Sequence, residues 1–138
     1  MDKKYSIEEY TRDYIVGYAK DNDYVLTLLD EGRAVGEMKI EERHKNPLNT
    51  VHGGVVFAIA DTIGGIAART MDVIPTTCSS TINYLRPTMG AEKLMADAKV
   101  IKCGKNTVAV EIAVFDDKGK HVSEVLATYF NLSIDALM

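Results

Sequence analysis

The segment GGVVFAIADTIGGIAART, residues 53–70, decides the fold. Its apolar side chains occupy every face of a helix, and they belong to Val55, Val56, Phe57, Ala58, Ile59, Ala60, Ile63, Ile66, Ala67 and Ala68. A helix that is apolar all round must be buried on nearly all sides. Gly64 and Gly65 carry no side chains, which predicts that another backbone approaches closely there. The segment therefore predicts one long buried helix at the centre of the fold.

The residues before this helix predict a helix, a hairpin and a loop. Apolar residues at three- and four-residue spacing predict an amphipathic helix over 6–20, with Ser6 as its N-cap and Glu9 at the capping-box position. Two strands, 24–29 and 34–40, are separated by a turn at Glu31 and Gly32 and pair as a hairpin. A polar loop over 41–52 leads into the central helix.

The residues after the helix predict four further strands, because the apolar period changes to two. These strands span 76–85, 93–103, 107–115 and 121–132, and tight turns join the last three. An antiparallel sheet of about six strands with one helix must curl around that helix to bury it. The predicted class is α+β, a curved sheet wrapped around one buried helix. A curled sheet leaves exposed edges, which favours pairing with a second copy of the chain.

Composition narrows the class of protein. The 138 residues fit a single domain, 1–138. A net charge of -4 argues against nucleic-acid binding, which normally requires a basic face. The start of the chain is charged and resembles no signal peptide, and the longest apolar run, 55–60, is far too short to span a membrane. Two cysteines without a metal or disulfide pattern fit a reducing compartment, so we expect a cytoplasmic protein.

Asp61 is the residue that first points to chemistry, because it lies in the middle of the apolar helix. An ionised carboxylate is costly to bury without partners. Two interpretations remain open from the residues alone. In one, Asp61 pairs with polar groups at an interface and is structural. In the other, it faces a cleft that also holds water or a substrate.

The neighbours of Asp61 favour the second interpretation. Residues 54, 58 and 61 share one helix face, so Asp61 lies on the same side as the first turn. The first-turn amides of Gly53 and Gly54 lack intrahelical partners and carry the positive end of the helix dipole. Asn46 and His52 add polar groups nearby, with His52 expected to be neutral and to orient other groups. A carbonyl polarised by amides beside a carboxylate is what acyl transfer requires. No serine-nucleophile, phosphate-loop, dinucleotide or helical metal-binding motif is present.

The segment NPLNTVHGG, followed by Ala60 and Asp61, resembles the signature of the hotdog-fold thioesterases of the phenylacetate-degradation (PaaI-like) and human thioesterase-superfamily-member-two type. In that signature an asparagine precedes His-Gly-Gly by six residues, and an aspartate follows the histidine by nine. The chain matches at Asn46, His52, Gly53, Gly54 and Asp61, and residues 81–87 resemble the family's next strand. The resemblance covers about residues 20–135 and implies the hotdog fold.

The resemblance also implies roles for individual residues. Asp61 would activate water or attack the thioester, and the Gly53 amide would polarise its carbonyl. Asn46 or His52 would hold the loop and the substrate. A hydroxyl from a second subunit would position the water, which the alignment places at Thr77, with Ser79 on the same strand face. The substrate would be an acyl-coenzyme A, held by helix-start and turn residues, namely Gly54, Arg86, Lys102, Gly104 and Lys105. The protein would be a dimer or a dimer of dimers, without a metal or a resident cofactor.

Other hotdog functions stay open as alternatives. One is a non-catalytic acyl-coenzyme A binding or sensing domain, which would not need the carboxylate of Asp61. A second is a dehydratase or hydratase, whose catalytic pairs resemble different motifs that this sequence lacks. The sequence does not identify the acyl group, because pocket shape sets that preference and depends on how Phe57, Ile59 and Tyr84 meet a second subunit.

Overall fold

The computed structural model describes residues 5–132 and contains three helices and six strands in that part of the chain. The helices are α1 (Ile7–Tyr14), α2 (Tyr18–Asp21) and α3 (Gly53–Arg69), and a single 3-10 turn spans Glu42–His44. The strands are β1 (Val25–Asp30), β2 (Arg33–Lys39), β3 (Pro75–Tyr84), β4 (Lys93–Cys103), β5 (Thr107–Asp116) and β6 (His121–Asn131). Each strand begins and ends within one residue of its sequence prediction. The ends of the predicted domain, 1–4 and 133–138, lie outside the described residues.

The six strands form one antiparallel sheet in the order β1-β2-β4-β5-β6-β3, and α3 packs across it. Alternate side chains of the central strands point toward α3 and are fully buried, as the period of two predicts. On the three long strands these are Leu94, Ala96, Ala98, Val108, Val110, Ile112, Val114, Val125, Ala127 and Tyr129. The predicted architecture, a curved sheet around one central helix, is confirmed.

The prediction that α3 is buried on nearly all sides is only partly right. Its sheet-facing side is buried, including Val56, Ile59 and Ile63. The opposite stripe, which contains Gly54, Ala58, Asp61 and Gly65, is exposed or half-buried. A single sheet covers one side of a helix, so the apolar side chains on the other side lack a covering layer within one chain. This open stripe places Asp61 at the surface of the chain rather than in its core.

The two adjacent glycines of α3 have different environments. A Cβ atom on Gly64 would collide with the Tyr129 hydroxyl and would lie 3.0 Å from Ile112 Cδ1. A Cβ on Gly65 would make only an ordinary contact, 3.6 Å from the Tyr129 ring. The prediction that this pair admits another backbone is therefore wrong within the chain. Gly64 instead lets side chains of the sheet approach the helix.

The N-terminal segment departs most from its prediction, since the single helix over 6–20 is two helices. Ser6 Oγ accepts the Glu9 amide at 3.2 Å and caps α1, as predicted, but α1 ends at Tyr14. Ile15 caps the end of α1, and Gly17 precedes α2 with φ +54, a conformation that glycine adopts readily and that keeps the two helices separate. α1 lies against the end of α3, where the Arg69 guanidinium stacks on the Tyr14 ring at 4.1 Å. This contact brings the N-terminal segment beside the open stripe.

Candidate active site

Asp61 is held by two hydroxyl groups of its own chain. Thr77 Oγ1 on β3 donates to Asp61 Oδ1 at 2.7 Å. The Tyr129 hydroxyl on β6 lies 2.9 Å from the main-chain oxygen of Asp61 and 3.3 Å from Oδ1. Asp61 is half-buried and lines a cavity, and its hydrogen bonds to the two hydroxyls involve only Oδ1 of the carboxylate. A fixed carboxylate that still reaches solvent can accept a proton from a water or attack an electrophile.

The position of Thr77 follows from the pairing of β3 with β6. Thr77 lies opposite Tyr129, whose side chain faces α3, so both hydroxyls reach the same carboxylate. The register then shifts between Thr77 and Ser79, which is a β-bulge at Cys78. Ser79 consequently lies opposite Thr128 and faces away from α3, so the prediction that Ser79 shares the face of Thr77 is wrong. The expectation that the Thr77 hydroxyl comes from a second subunit is also wrong, because one chain forms the contact.

Tyr129 is a site residue that the sequence alone does not single out. Burial, followed by the neighbouring charge of Asp61, raises the pKa of Tyr129, so the phenol stays protonated and serves as a donor. The available signal was the alternation of β6, which places Val125, Ala127 and Tyr129 on the buried face. A buried tyrosine needs a partner for its hydroxyl, and the helix opposite offers Asp61.

A second group of polar residues surrounds the start of α3. His52 Nδ1 accepts the Gly54 amide at 2.9 Å and caps the helix. Through this contact His52 orients the first turn of α3, while its predicted neutral state stays a prediction. The prediction that both glycine amides stay open is therefore wrong for Gly54. The Gly53 amide has no protein partner within residues 5–132 and is available to an oxygen of a ligand.

Two side chains fix the loop that leads into α3. Asn46 Oδ1 accepts the amides of Leu48 and Thr50 at 3.0 and 3.2 Å, so Asn46 holds the loop as predicted. His44 is buried, and its Nδ1 accepts the Glu41 amide at 2.9 Å. The main-chain oxygen of His44 accepts the His52 amide at 2.8 Å. These contacts tie the orientation of the helix start to the loop before it.

Tyr84 is a further contact of the helix start. Its hydroxyl donates to the Gly53 oxygen at 2.8 Å. A Cβ on residue 53 would lie 3.1 Å from the Tyr84 ring, so glycine at this position allows the tyrosine to sit over the first turn. A cavity of about 310 Å3 opens beside Tyr84 and also contains Arg86, whose guanidinium donates to the His121 oxygen at 2.8 Å.

Within one chain these residues form two separate half-sites. Asp61 and Thr77 line a cavity of about 270 Å3 that excludes Asn46, His52 and Gly53. Gly53 and Asp61 are eight residues apart on one helix, a separation of about 12 Å along the axis. Asp61 lies on the side of the helix that carries Gly54 and Ala58, as predicted, but one carbonyl group cannot contact both Asp61 and the Gly53 amide. Lys102, Gly104 and Lys105 lie around the β4–β5 turn and line neither cavity.

Two further features of residues 5–132 bear on other classes of site. In that part of the chain no three His, Cys, Asp or Glu side chains come together as metal ligands. No helix there has the length and apolar character needed to cross a bilayer.

Residues 48–123 match the family model described as the thioesterase superfamily. The acyl-coenzyme A thioesterase PaaI of Escherichia coli K12 is 32% identical over 95 residues, which is 69% of this chain and 68% of that protein. Residues 48–123, which match the family model, contain the helix start, Asp61 and Thr77.

Solved structures confirm the fold. The E. coli PaaI protein superposes with a TM-score of 0.83 at 25% identity, over 93% of this chain and 97% of that one. A hypothetical thioesterase from Streptococcus pneumoniae TIGR4, solved with coenzyme A, superposes with a TM-score of 0.80 at 21% identity, over 93% and 98% of the two chains. The architecture predicted from the sequence, the hotdog fold, is shared with these proteins.

Proposed function

Because the chain belongs to the thioesterase superfamily and is a thioester hydrolase of the PaaI-like hotdog type, we propose that it hydrolyses acyl- or aryl-acyl-coenzyme A thioesters to the free acid and coenzyme A. The observation that carries the proposal is the hydrogen bond from Thr77 to Asp61 at the edge of a cavity. Two comparisons support the substrate class, since PaaI is named for acyl-coenzyme A and the S. pneumoniae protein was solved with coenzyme A.

In the proposed reaction Asp61 supplies the carboxylate, in either of two ways. As a general base it takes a proton from a water that attacks the thioester carbon, and the C–S bond then breaks. As a nucleophile it attacks that carbon itself, and water hydrolyses the resulting anhydride. In both routes the thiolate of coenzyme A leaves and regains a proton. Thr77 holds the carboxylate in place, and its hydroxyl oxygen can accept a hydrogen bond from the water. Neither route requires a resident metal or cofactor.

The oxyanion that forms on the thioester carbonyl needs a donor about 3 Å away. The Gly53 amide is such a donor, and Tyr84 holds the same residue by its main-chain oxygen. The Gly53 amide lies about 12 Å along the helix axis from the Asp61 of the same chain. We therefore propose that Asp61 of one copy faces Gly53 of another.

A dimer with twofold symmetry would bring Asp61 of each chain to face Gly53 of the other chain. In such a pair, each copy presents the same surface to the other, so two identical sites form. Two features favour this assembly. β3 lies at one edge of the sheet that residues 5–132 form, and the stripe of α3 around Asp61 is only half-covered there. Two such dimers could associate further into a dimer of dimers.

The phosphates of coenzyme A would be held by basic residues, with Arg86 placed best. Arg86 lines the cavity beside Tyr84 at the helix start. Lys102 and Lys105, with Gly104 in the turn between them, are exposed at the end of β4 and would contribute only from across an interface. Ser79 faces away from the Asp61 cavity, so its proposed role in binding also requires a neighbouring copy.

The test is a panel assay of thiol release from aryl, short-chain and long-chain acyl-coenzyme A thioesters, with acyl-coenzyme A binding measured in parallel. We expect turnover of at least one class. Tight binding without turnover of any class would instead support a non-catalytic acyl-coenzyme A binding domain.

A further inference from the structure

The cavity that holds Asp61 continues along α3 to a positively charged end. Asp61, Gly65 and Arg69 line it at four-residue intervals and therefore lie on one side of the helix. The N-terminal segment forms the facing wall with Tyr14 and Val16. A group bound at Asp61 would extend along this channel toward Arg69.

Gly65 keeps the middle of this channel open. A Cβ there would make only an ordinary contact with Tyr129, so packing within the chain does not require glycine. Gly64, one residue earlier, has no such space, because a Cβ would collide with the Tyr129 hydroxyl. Gly65 therefore leaves the part of the cavity between Asp61 and Arg69 free of a side chain, although packing within the chain would admit one.

Arg69 is a cation without a carboxylate partner among residues 5–132. Its guanidinium stacks on the Tyr14 ring at 4.1 Å, and it forms no ion pair there. Asp13, a carboxylate of the same wall, is already bound by Arg12 through two hydrogen bonds of 2.9 and 3.2 Å. Stacking fixes the plane of a guanidinium and leaves its N–H edge free, and this edge matches a carboxylate. The far end of the channel thus presents a positioned anion-binding group.

The length of the channel limits the acyl group. Asp61 and Arg69 are eight residues apart, and helical side chains lean toward the N-terminus, so their functional groups are separated by roughly 6 to 9 Å. This span fits a short aliphatic chain with a polar group at its distal end.

Resting on the proposed thioester hydrolysis, we propose that the site takes acyl groups that end in a carboxylate, the monothioesters of short dicarboxylic acids, and that Arg69 binds the terminal carboxylate while Tyr14 holds Arg69. Arg69 is then the residue that determines acyl specificity, acting at the end of the channel opposite the reacting carbonyl.

The experiment compares kcat/KM for glutaryl-coenzyme A and hexanoyl-coenzyme A, whose acyl chains have similar length and differ at the distal end. We expect wild type to favour the glutaryl thioester by about tenfold or more, as for a hydrogen-bonded ion pair. Arg69→Met keeps an apolar side chain against Tyr14 and removes the charge. It should lower kcat/KM for the glutaryl thioester by about tenfold and leave the hexanoyl value within about twofold.

The control is Lys20→Met, which removes an exposed positive charge from α2 outside both cavities and should leave the substrate ratio unchanged. Equal loss on both substrates in Arg69→Met would show that Arg69 only anchors α1, and would overturn the inference. Turnover of hexanoyl-coenzyme A without preference for the glutaryl thioester would also overturn it while leaving the proposed function intact. Turnover of no acyl-coenzyme A would overturn both.

Discussion

Thr77 Oγ1 lies 2.7 Å from Asp61 Oδ1 within one chain, so the edge strand β3 holds the carboxylate of the central helix. The contact joins β3, most of whose residues are exposed, to α3, whose buried side packs into the core. Any change at that edge, including association with another chain, acts directly on the surroundings of the carboxylate.

The first prediction concerns this hydrogen bond. Thr77→Val keeps the β-branched shape and removes the hydroxyl, so kcat should fall by about tenfold or more while the melting temperature changes little. Thr77→Ser keeps the hydroxyl and should retain most of the activity. Steady-state kinetics on both variants, with thermal melts as the folding control, test this. Equal activity of the valine variant and wild type would remove Thr77 from the site.

The second prediction concerns the binding of coenzyme A. Arg86→Ala and Lys105→Ala should raise KM for acyl-coenzyme A more than they lower kcat, because phosphate contacts far from the reacting carbon contribute largely uniform binding. The effect should weaken in high salt, which screens exposed charges. Lys39→Ala, an exposed lysine at the end of β2, is the matched control. Wild-type kinetics in both test variants would place the phosphates elsewhere on the surface.

The third prediction is that the active protein is an oligomer whose sites are shared between subunits. Gly53→Pro removes the proposed oxyanion donor at a first-turn position where the backbone suits proline, since His52 before it has the extended ψ of 134 that proline favours. The new Cβ requires the half-exposed Tyr84 side chain to shift by a few tenths of an ångström. Gly53→Pro and Asp61→Asn should each be inactive alone. Refolded together in equal amounts, the two variants should regain about a quarter of the wild-type number of active sites. Half of the randomly formed dimers contain one chain of each variant. In each mixed dimer one of the two sites is intact, because it combines Asp61 of the proline variant with Gly53 of the asparagine variant.

Two measurements accompany this complementation. Light scattering at micromolar concentration should show a dimer or a tetramer. A folded and active monomer, or no recovery of activity in mixtures that are shown to contain mixed dimers, would contradict the shared site.

The fourth prediction concerns pH and His44. Burial, assisted by the charge of Arg43, lowers the pKa of His44, and its Nδ1 accepts the Glu41 amide. The pKa of His44 in the unfolded chain is about 6.5, so below that pH His44 binds a proton more readily in the unfolded chain than in the folded chain. Neutral His44 makes its full contribution to the free energy of unfolding above pH 6.5. This contribution is lost as the pH falls through the pKa of His44 in the folded chain. His44→Asn retains an acceptor but does not titrate.

Thermal melts of wild type and His44→Asn between pH 7.5 and 5 test this prediction. As the pH is lowered, the melting temperature of wild type should fall more steeply than that of the variant. The carboxylates titrate in both proteins, so the difference between the two curves reports on His44. Parallel curves would show that His44 does not couple protonation to folding.

The sequence predicts the elements well because burial imposes periodicity. Alternation along β4 to β6 and the apolar run of α3 set element bounds to within about a residue, and Asp61 is conspicuous because it interrupts that run. The break at Gly17 and the bulge at Cys78 are harder to predict. Each depends on one residue's conformation, which the apolar pattern does not record.

The candidate site is predicted in its residues but not in its geometry. Helix periodicity places Asp61 on the side of Gly54 and Ala58, but the rise of about 12 Å over eight residues keeps the Gly53 amide and Asp61 too far apart to act on one carbonyl within one chain. The Thr77 contact depends on the position of β3 beside β6, which the order of strands along the sequence does not determine. Tyr129 and Tyr84 contribute through single hydroxyls, whose partners become visible only once the sheet and helix are packed.

The last prediction concerns Asp61 itself. Asp61→Asn keeps the size of the side chain and can still accept the Thr77 hydrogen bond, but the amide neither takes a proton from water nor attacks a thioester. We expect kcat to fall by at least about two orders of magnitude, the usual scale of general acid–base catalysis. Acyl-coenzyme A affinity and the melting temperature should be retained, because the Gly53 amide, the Asn46 loop and Arg86 are unchanged.

Asp23→Asn is the matched control, since Asp23 is exposed, lines neither half-site and has a φ of +55 that asparagine also adopts readily. Near-normal turnover in Asp61→Asn would remove the carboxylate from the mechanism. Loss of folding together with activity would instead show that Asp61 is structural and pairs with groups at a subunit interface. Thr77 and Tyr129 hold the carboxylate of Asp61 at a surface cavity rather than in the core. We therefore expect Asp61→Asn to lose catalysis while it keeps its fold and its affinity for acyl-coenzyme A.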